Sequence, residues 1–410
     1  MIVLNQKSLE MEYKLNKADW GGTDNFDSLL AEIRKRAPEF AIQNYVSDDI
    51  VQRFKKIGIY RAFVPKSYGG DERSPVEFLL AIEEISRADG SAGWVASFGV
   101  CESYLGGLPM KTLEKIWQNP DDIFAGAMFP IQPAKVVDGG YLLNGRWKWA
   151  SGCMSADRIG VGIKTDADNA LPSMVVLDAD QVEIDQTSWN VQGMSGSGSF
   201  DVVVNNKIGS PDYTFVRGGA LTPEGSFFKF PTLCIAGQVL AVTSLGIARA
   251  AMDIVIERAA VRSSATGAPN IGDRAYVQLE MAKAEAKIQS SRLFFYSSIE
   301  RAWDLLESGK PLDAETVNMM RLSNTHLTRE CADATRTAYH LSGMEAALYD
   351  NHLSRCFRDV HMPTQHAFMG EFTYQNAGAV MFGKKPFPGH MPSWVKVDPI
   401  EVKQNSLAVI

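Results

Sequence analysis

The feature that most constrains this chain is a change in how its apolar residues are spaced. From about residue 121 to 224, glycines and turn pairs (Asp138-Gly139-Gly140, Asn144-Gly145) separate short runs rich in Val, Ile, Trp and Tyr. On either side the apolar residues step by three and four instead. A β unit held between two helical regions follows. Its best strand candidates are 141–149, 158–164, 173–177 and 200–204, whose spacing suits a small antiparallel barrel.

In the first region, residues 26–41 and 48–62 carry helical stripes (Phe26, Leu29, Leu30, Ile33; Val51, Phe54, Ile57), and Ser74-Pro75-Val76-Glu77 starts a further helix running through Ile82 and Ile85. After residue 225 the helical pieces are long. Positions 279, 282, 286, 289, 293, 296, 300 and 303 step by three and four, and Leu279, Ala282, Ala286, Leu293, Tyr296 and Trp303 make an apolar seam. Such a seam predicts a bundle and offers a surface to a neighbouring subunit. The expectation is an α+β chain, mostly α, with a helical domain over 1–120, a β-barrel domain over 121–224 and a helical bundle over 225–410.

Composition narrows the functions. The 410 residues are 45% hydrophobic and carry a net charge of -7 with scattered basic residues, which argues against nucleic acid or an anionic membrane surface as partner. The most apolar stretch, Leu233 to Ile256, contains Gln238, Arg249 and Asp253 and reads as a buried helix, and Met1 to Lys14 has no signal-peptide pattern. Cys101, Cys153, Cys234, Cys331 and Cys356 are widely spaced without a ligand motif, as expected of reduced thiols in a cytoplasmic protein.

Common catalytic signatures are missing. Gly160-Val161-Gly162 has Thr165 where a dinucleotide fingerprint needs its third glycine, and there is no Walker loop, His-Glu-x-x-His or Gly-x-Ser-x-Gly. His361 and His366 are five apart, roughly 140° around a helix, and so are poorly placed to share a metal. What remains is the hydroxyl-rich turn from Trp189 through Gly193-Met194-Ser195-Gly196-Ser197-Gly198-Ser199 to Asp201, and the strand end Trp147-Lys148-Trp149-Ala150-Ser151-Gly152. Both could set small hydroxyls and backbone N–H groups against a flat polar ring. A glycine-rich hairpin and ordinary barrel packing account for the same residues.

These two segments, with Val64 to Gly70, Ala88-Asp89-Gly90-Ser91-Ala92-Gly93-Trp94, Ser342-Gly343 and Arg355-Cys356-Phe357-Arg358-Asp359-Val360-His361 in that order, resemble the acyl-CoA dehydrogenase superfamily, and within it the two-component, reduced-flavin-dependent monooxygenases. The resemblance implies an N-terminal helical domain, a middle β-barrel and a C-terminal four-helix bundle, assembled as a homotetramer. It implies an oxygenase component that takes FMNH2 or FADH2 from a separate NAD(P)H:flavin reductase, reacts it with O2 to a C4a-hydroperoxide and hydroxylates a small phenolic or indolic substrate. Where dehydrogenases of this family often carry a Tyr-Glu-Gly base, this chain reads His366-Ala367-Phe368. His366 therefore matches the monooxygenase histidine, with His361 in reserve, and an imidazole there is expected to titrate near neutrality. Ser151 matches the hydroxyl near flavin N5. Trp149, Ser197, Ser342 and Gly343 fall in the flavin-contacting segments, and Arg262 matches the arginine on the flavin phosphate, often supplied by a neighbour. The Phe98 to Ser103 segment departs from that of some phenol hydroxylases, against a simple hydroxyphenylacetate-type substrate. The alternatives are an amine or amino-sugar N-oxygenase on the same scaffold, an acyl-CoA dehydrogenase or oxidase with a displaced base, and a catalytically dead relative.

Overall fold

The computed structural model describes residues 13–165, 172–261 and 269–399. Its N-terminal part is built on α1 (Thr23–Gln43), α2 (Asp48–Ile57), α3 (Pro75–Ala88) and α4 (Gly90–Ala96). α2 is shorter than the stripe over 48–62 predicts, because Gly58 adopts φ 90° and donates its N–H to the carbonyls of Lys55 and Phe54, closing the helix. α3 starts at the expected place: Ser74 Oγ accepts from Glu77 N, the Glu77 carboxylate accepts from Ser74 N, and Pro75 needs no N–H partner. Asp89 then ends α3 and caps α4, its Oδ1 accepting from Ala92 N at 2.9 Å.

The middle part holds β1 (Phe124–Val137), β2 (Gly140–Ala150), β3 (Arg158–Thr165), β4 (Ser173–Asp178), β5 (Glu183–Asp185), β6 (Phe200–Gly209) and β7 (Thr214–Val216), in the order β5-β6-β2-β1-β3-β4-β7. The sheet is mixed, not purely antiparallel: β1 pairs β2 antiparallel but β3 parallel. Both β1 and β3 run opposite to β2, and β3 takes the other edge of β1, so the two must align. The sheet curls around its own core of Trp147, Ile159, Val161, Val175, Phe200 and Val202. The curl brings β6 against β4, where a Cβ on Gly209 would sit 2.4 Å from Val175 Cγ1.

The C-terminal bundle comprises α5 (Thr232–Val261), α6 (Ala275–Glu307), α7 (Ala314–Leu341) and α8 (His352–Gln365), followed by α9 (Phe372–Met381). α5 is long and apolar enough to cross a membrane, but 78% of its apolar window is buried in the protein, where it packs on α3, α7 and α8. The five cysteines are free and buried. On α6 the buried face runs through Val277, Ala284, Ile288, Phe295, Ile299 and Ala302. Leu279, Ala282, Ala286 and Leu293 of the expected seam are exposed instead. The two stripes start two residues apart, roughly 200° around the helix, so α6 is apolar on both sides; of the expected seam only the later members reach the core, Tyr296 buried in it and Trp303 packed against it.

Candidate active site

A cavity of about 1410 Å³ opens where the three parts meet. One wall is the end of β2. Trp149, next to last in β2, has φ 66°, a left-handed kink within the register shift between Trp147 and Ala150 that swings the chain into Ser151. The Ser151 hydroxyl is held from two sides: Trp94 Nε1 on α4 donates to it at 3.1 Å, and Ser199 Oγ lies 2.6 Å away. Ser197 Oγ is 2.8 Å from Ser199 Oγ, which completes a row of three buried hydroxyls on the cavity wall. Their protons can turn either way, so the row can present donors or acceptors.

The turn from Trp189 to Asp201 is clamped from both helical parts. Ser195 Oγ donates to the Ala41 carbonyl in α1, and Met194 N donates to Asp359 Oδ1 on α8 at 2.6 Å. At Gly193 the chain passes so close to α8 that a Cβ would lie 2.4 Å from the Arg358 carbonyl oxygen. Burial and the nearby Asp89 carboxylate push Asp359 up to about 7, against the stabilising Met194 N–H and Arg355. Arg355 Nε approaches Asp89 at 3.6 Å.

The opposite wall is the end of α8. Met362, Gln365, His366 and Phe368 line the cavity there. His366 Nδ1 accepts from Phe368 N at 3.2 Å, so the neutral ring carries its proton on Nε2. Burial, with the positive charges of Arg321 and Arg217, lowers this imidazole to about 4. The expectation of a histidine titrating near neutrality is thereby corrected: a half-buried ring beside two guanidinium groups resists protonation, and His366 is a neutral donor at working pH.

The other expected site residues divide. Trp149 and Ser197 line the cavity with Ser151 and His366. His361 does not; its ring meets Phe357 edge-on at 4.8 Å, and Phe357 stacks on Tyr339. Ser342 and Gly343 close α7, where Ser342 Oγ donates to the Ala338 carbonyl, and they too are off this cavity. His361 lies inside α8, whereas His366 is the extended C-cap that follows Gln365 (ψ 140°), so the two side chains leave the chain in different directions. Arg262 lies outside the described residues. Among the lining residues not anticipated as site residues are Trp94, Ser199 and Arg217. Trp94 and Ser199 sit inside the motifs singled out in the sequence, whereas Arg217 is a lone arginine before Gly218-Gly219 and has no motif.

Among the described residues, no Asp or Glu lines the cavity, while Lys148, Arg217, Lys229 and Lys310 do. No group of His, Cys, Asp or Glu among them could hold a metal ion. The volume exceeds the roughly 300–1,000 Å³ usual for one ligand, leaving room for a flavin ring beside a small aromatic. The hydroxyl row of Ser151, Ser199 and Ser197, the indoles of Trp94, Trp149 and Trp189, and the excess of cations fit a flat polar ring carrying a phosphate.

Comparison with known proteins agrees. Residues 27–107 match the acyl-CoA dehydrogenase N-terminal domain and residues 238–371 the acyl-CoA dehydrogenase C-terminal domain. The indole-3-acetate monooxygenase of Pseudomonas putida is 48% identical over 89% of this chain and 95% of its own length. The oxygenase subunit HsaA of a flavin-dependent monooxygenase from Rhodococcus jostii is 28% identical over 83% of this chain and 92% of its own. The crystal structure of the 3-HSA hydroxylase from Rhodococcus sp. RHA1 superposes with a TM-score of 0.83 at 26% identity, covering 90% of this chain and 98% of that one. The chain belongs to the acyl-CoA dehydrogenase family. Within it, the chain is an enzyme of the flavin-dependent monooxygenase branch, an oxygenase component.

Proposed function

We propose that this enzyme hydroxylates indole-3-acetate, using O2 and reduced flavin delivered by a separate NAD(P)H:flavin reductase. The observation that carries the reading is the cavity's lining: four indole side chains for an aromatic ring, four cations for anionic groups, and no carboxylate among the described residues to remove an α-proton. The last point counts against an acyl-CoA dehydrogenase with a displaced base, and the positive lining counts against an amine or amino-sugar substrate. The name of the 48% identical relative supplies the particular aromatic acid.

Bound flavin supplies oxygen activation; the chain supplies the setting. With flavin bound, Ser151 would hydrogen-bond the ring, the Trp and Phe side chains would exclude water, and His366 would donate a hydrogen bond from Nε2. That last role replaces the proton acceptor that the resemblance suggests. We also propose a cytoplasmic homotetramer. Supporting it are five buried thiols and the exposed apolar residues Tyr276, Leu279 and Leu293 along α6.

The test is to mix the full-length protein, loaded anaerobically with reduced flavin, with ¹⁸O2 and indole-3-acetate. The expected product is a hydroxylated indole-3-acetate carrying one ¹⁸O atom, and NADH is consumed only when a reductase is added. Oxidised flavin and hydrogen peroxide without an oxygenated product would overturn the proposal.

A further inference from the structure

The cations around the cavity are not equivalent. Lys148, Lys229 and Lys310 are exposed at its rim. Arg217 is half-buried, and its guanidinium carbon lies 4.2 Å from the centre of the Tyr104 ring. Its backbone is tied down, Arg217 N donating to the Pro172 carbonyl at 3.0 Å just beyond β7, and Phe215 two residues earlier is buried on the same wall. Among the described residues the guanidinium has no ion pair and no side-chain hydrogen bond. A planar fork of donors, stacked on an aromatic face and left without an anion inside a carboxylate-free cavity, is arranged for bidentate binding of a planar anion. Arg217 and His366 line the same cavity.

We infer that Arg217 is the specificity residue that binds the carboxylate of the aromatic acid, with Tyr104 holding the guanidinium in place. The inference rests on the reading of the cavity as an aromatic-acid hydroxylase site. It makes the acid side chain the handle that orients the ring, and makes neutral indoles poor substrates. A flavin phosphate offers the same anionic oxygens, so the experiment must separate the two sources.

The test uses the full-length protein with reduced flavin and compares indole-3-acetate with its neutral isostere indole-3-acetamide, recording KM and kcat for both and the Kd for reduced flavin. The wild type should prefer the acid. Arg217→Met should raise KM for the acid about 10- to 100-fold with a much smaller change in kcat, collapse the preference for acid over amide, and shift the flavin Kd little. Arg217→Lys should recover part of the preference, which a purely structural role would not produce. A variant that loses reduced-flavin affinity and keeps the acid-to-amide ratio would overturn the inference and assign Arg217 to the phosphate. A wild type that hydroxylates acid and amide equally would overturn it too, while leaving the hydroxylase reading intact. Hydroxylation of neither compound would instead strike at that reading.

Discussion

The Trp94 indole N–H donates to Ser151 Oγ at 3.1 Å, so a helix of the N-terminal part orients the hydroxyl that directly follows β2. Ser151 therefore has its geometry set before any ligand arrives. Ser151→Ala should lower the fraction of reduced flavin converted to hydroxylated product more than it weakens flavin binding, because one hydrogen bond is worth about 0.5–1.5 kcal/mol and other contacts hold the ring. Trp94→Phe, which keeps the bulk but lets the hydroxyl rotate, should act in the same direction and less strongly. Product and peroxide yields measure both; unchanged yields in Ser151→Ala would contradict the assignment.

His366→Ala should lower hydroxylation about 10²-fold, the usual size of losing one oriented donor, with the fold intact. Since burial and the two guanidinium groups lower the ring to about 4, it stays neutral as pH falls through the usual histidine range. The pH–rate profile of the wild type should accordingly lack a histidine inflection between about pH 5 and 8. An inflection near 6.5 that disappears in His366→Ala would reverse this assignment. His361→Ala, away from the cavity, should change turnover less than twofold.

Asp359 offers a pH test of the clamp on the hydroxyl-rich turn. Its folded-state value of about 7 lies above the ordinary 3.8, so the folded protein holds a proton that the unfolded chain has released in between. The stability this contributes is complete below about 4 and is lost as pH rises through 7. Asp359→Asn keeps an acceptor for Met194 N but cannot ionise. The melting temperature of the variant relative to wild type should rise by at least about 3 °C between pH 5 and pH 8; an equal difference at both pH values would refute the assignment.

Gly193→Ala should cost about 1–3 kcal/mol, because the added methyl meets the backbone of α8 at Arg358 and not a side chain that can move aside. Reduced-flavin affinity should fall with it, as the same turn carries Ser197 and Ser199. Denaturant titration and flavin binding on one preparation check the two together.

Much of this was legible in the sequence where local chemistry decides the outcome. The Ser74 capping box, the strands at Gly140–Ala150 and Arg158–Thr165, and the hydroxyl-rich turn announce themselves through residue type and spacing. β1 did not, because Pro130 and Pro133 demote a run to non-strand on propensity. In the fold its pairing with β3 skips from Ala127 to Gln132, and Phe129-Pro130 falls within the skip. Which stripe of α6 meets the bundle was not legible, since Leu279 and Leu293 are as apolar as Ile288 and Phe295 and only the partner helices distinguish the two stripes. Arg217 was invisible for a different reason. Nothing near it in sequence marks it, and its meaning comes from Tyr104 and His366, each more than 100 residues away.

The cavity draws its walls from Trp94, Ser151, Arg217, His366 and Trp394, so no single stretch of the chain contains it. During synthesis the pocket cannot close until Trp394 has left the ribosome. A chain that stops before α8 lacks His366 and the Asp359 clamp, and so has no enclosed place to receive reduced flavin. Free reduced flavin and oxygen together make hydrogen peroxide. Incomplete copies therefore leave reduced flavin to that wasteful reaction, so sparing oxygen for the product depends on the far C-terminal lining, up to Trp394, as much as on Ser151.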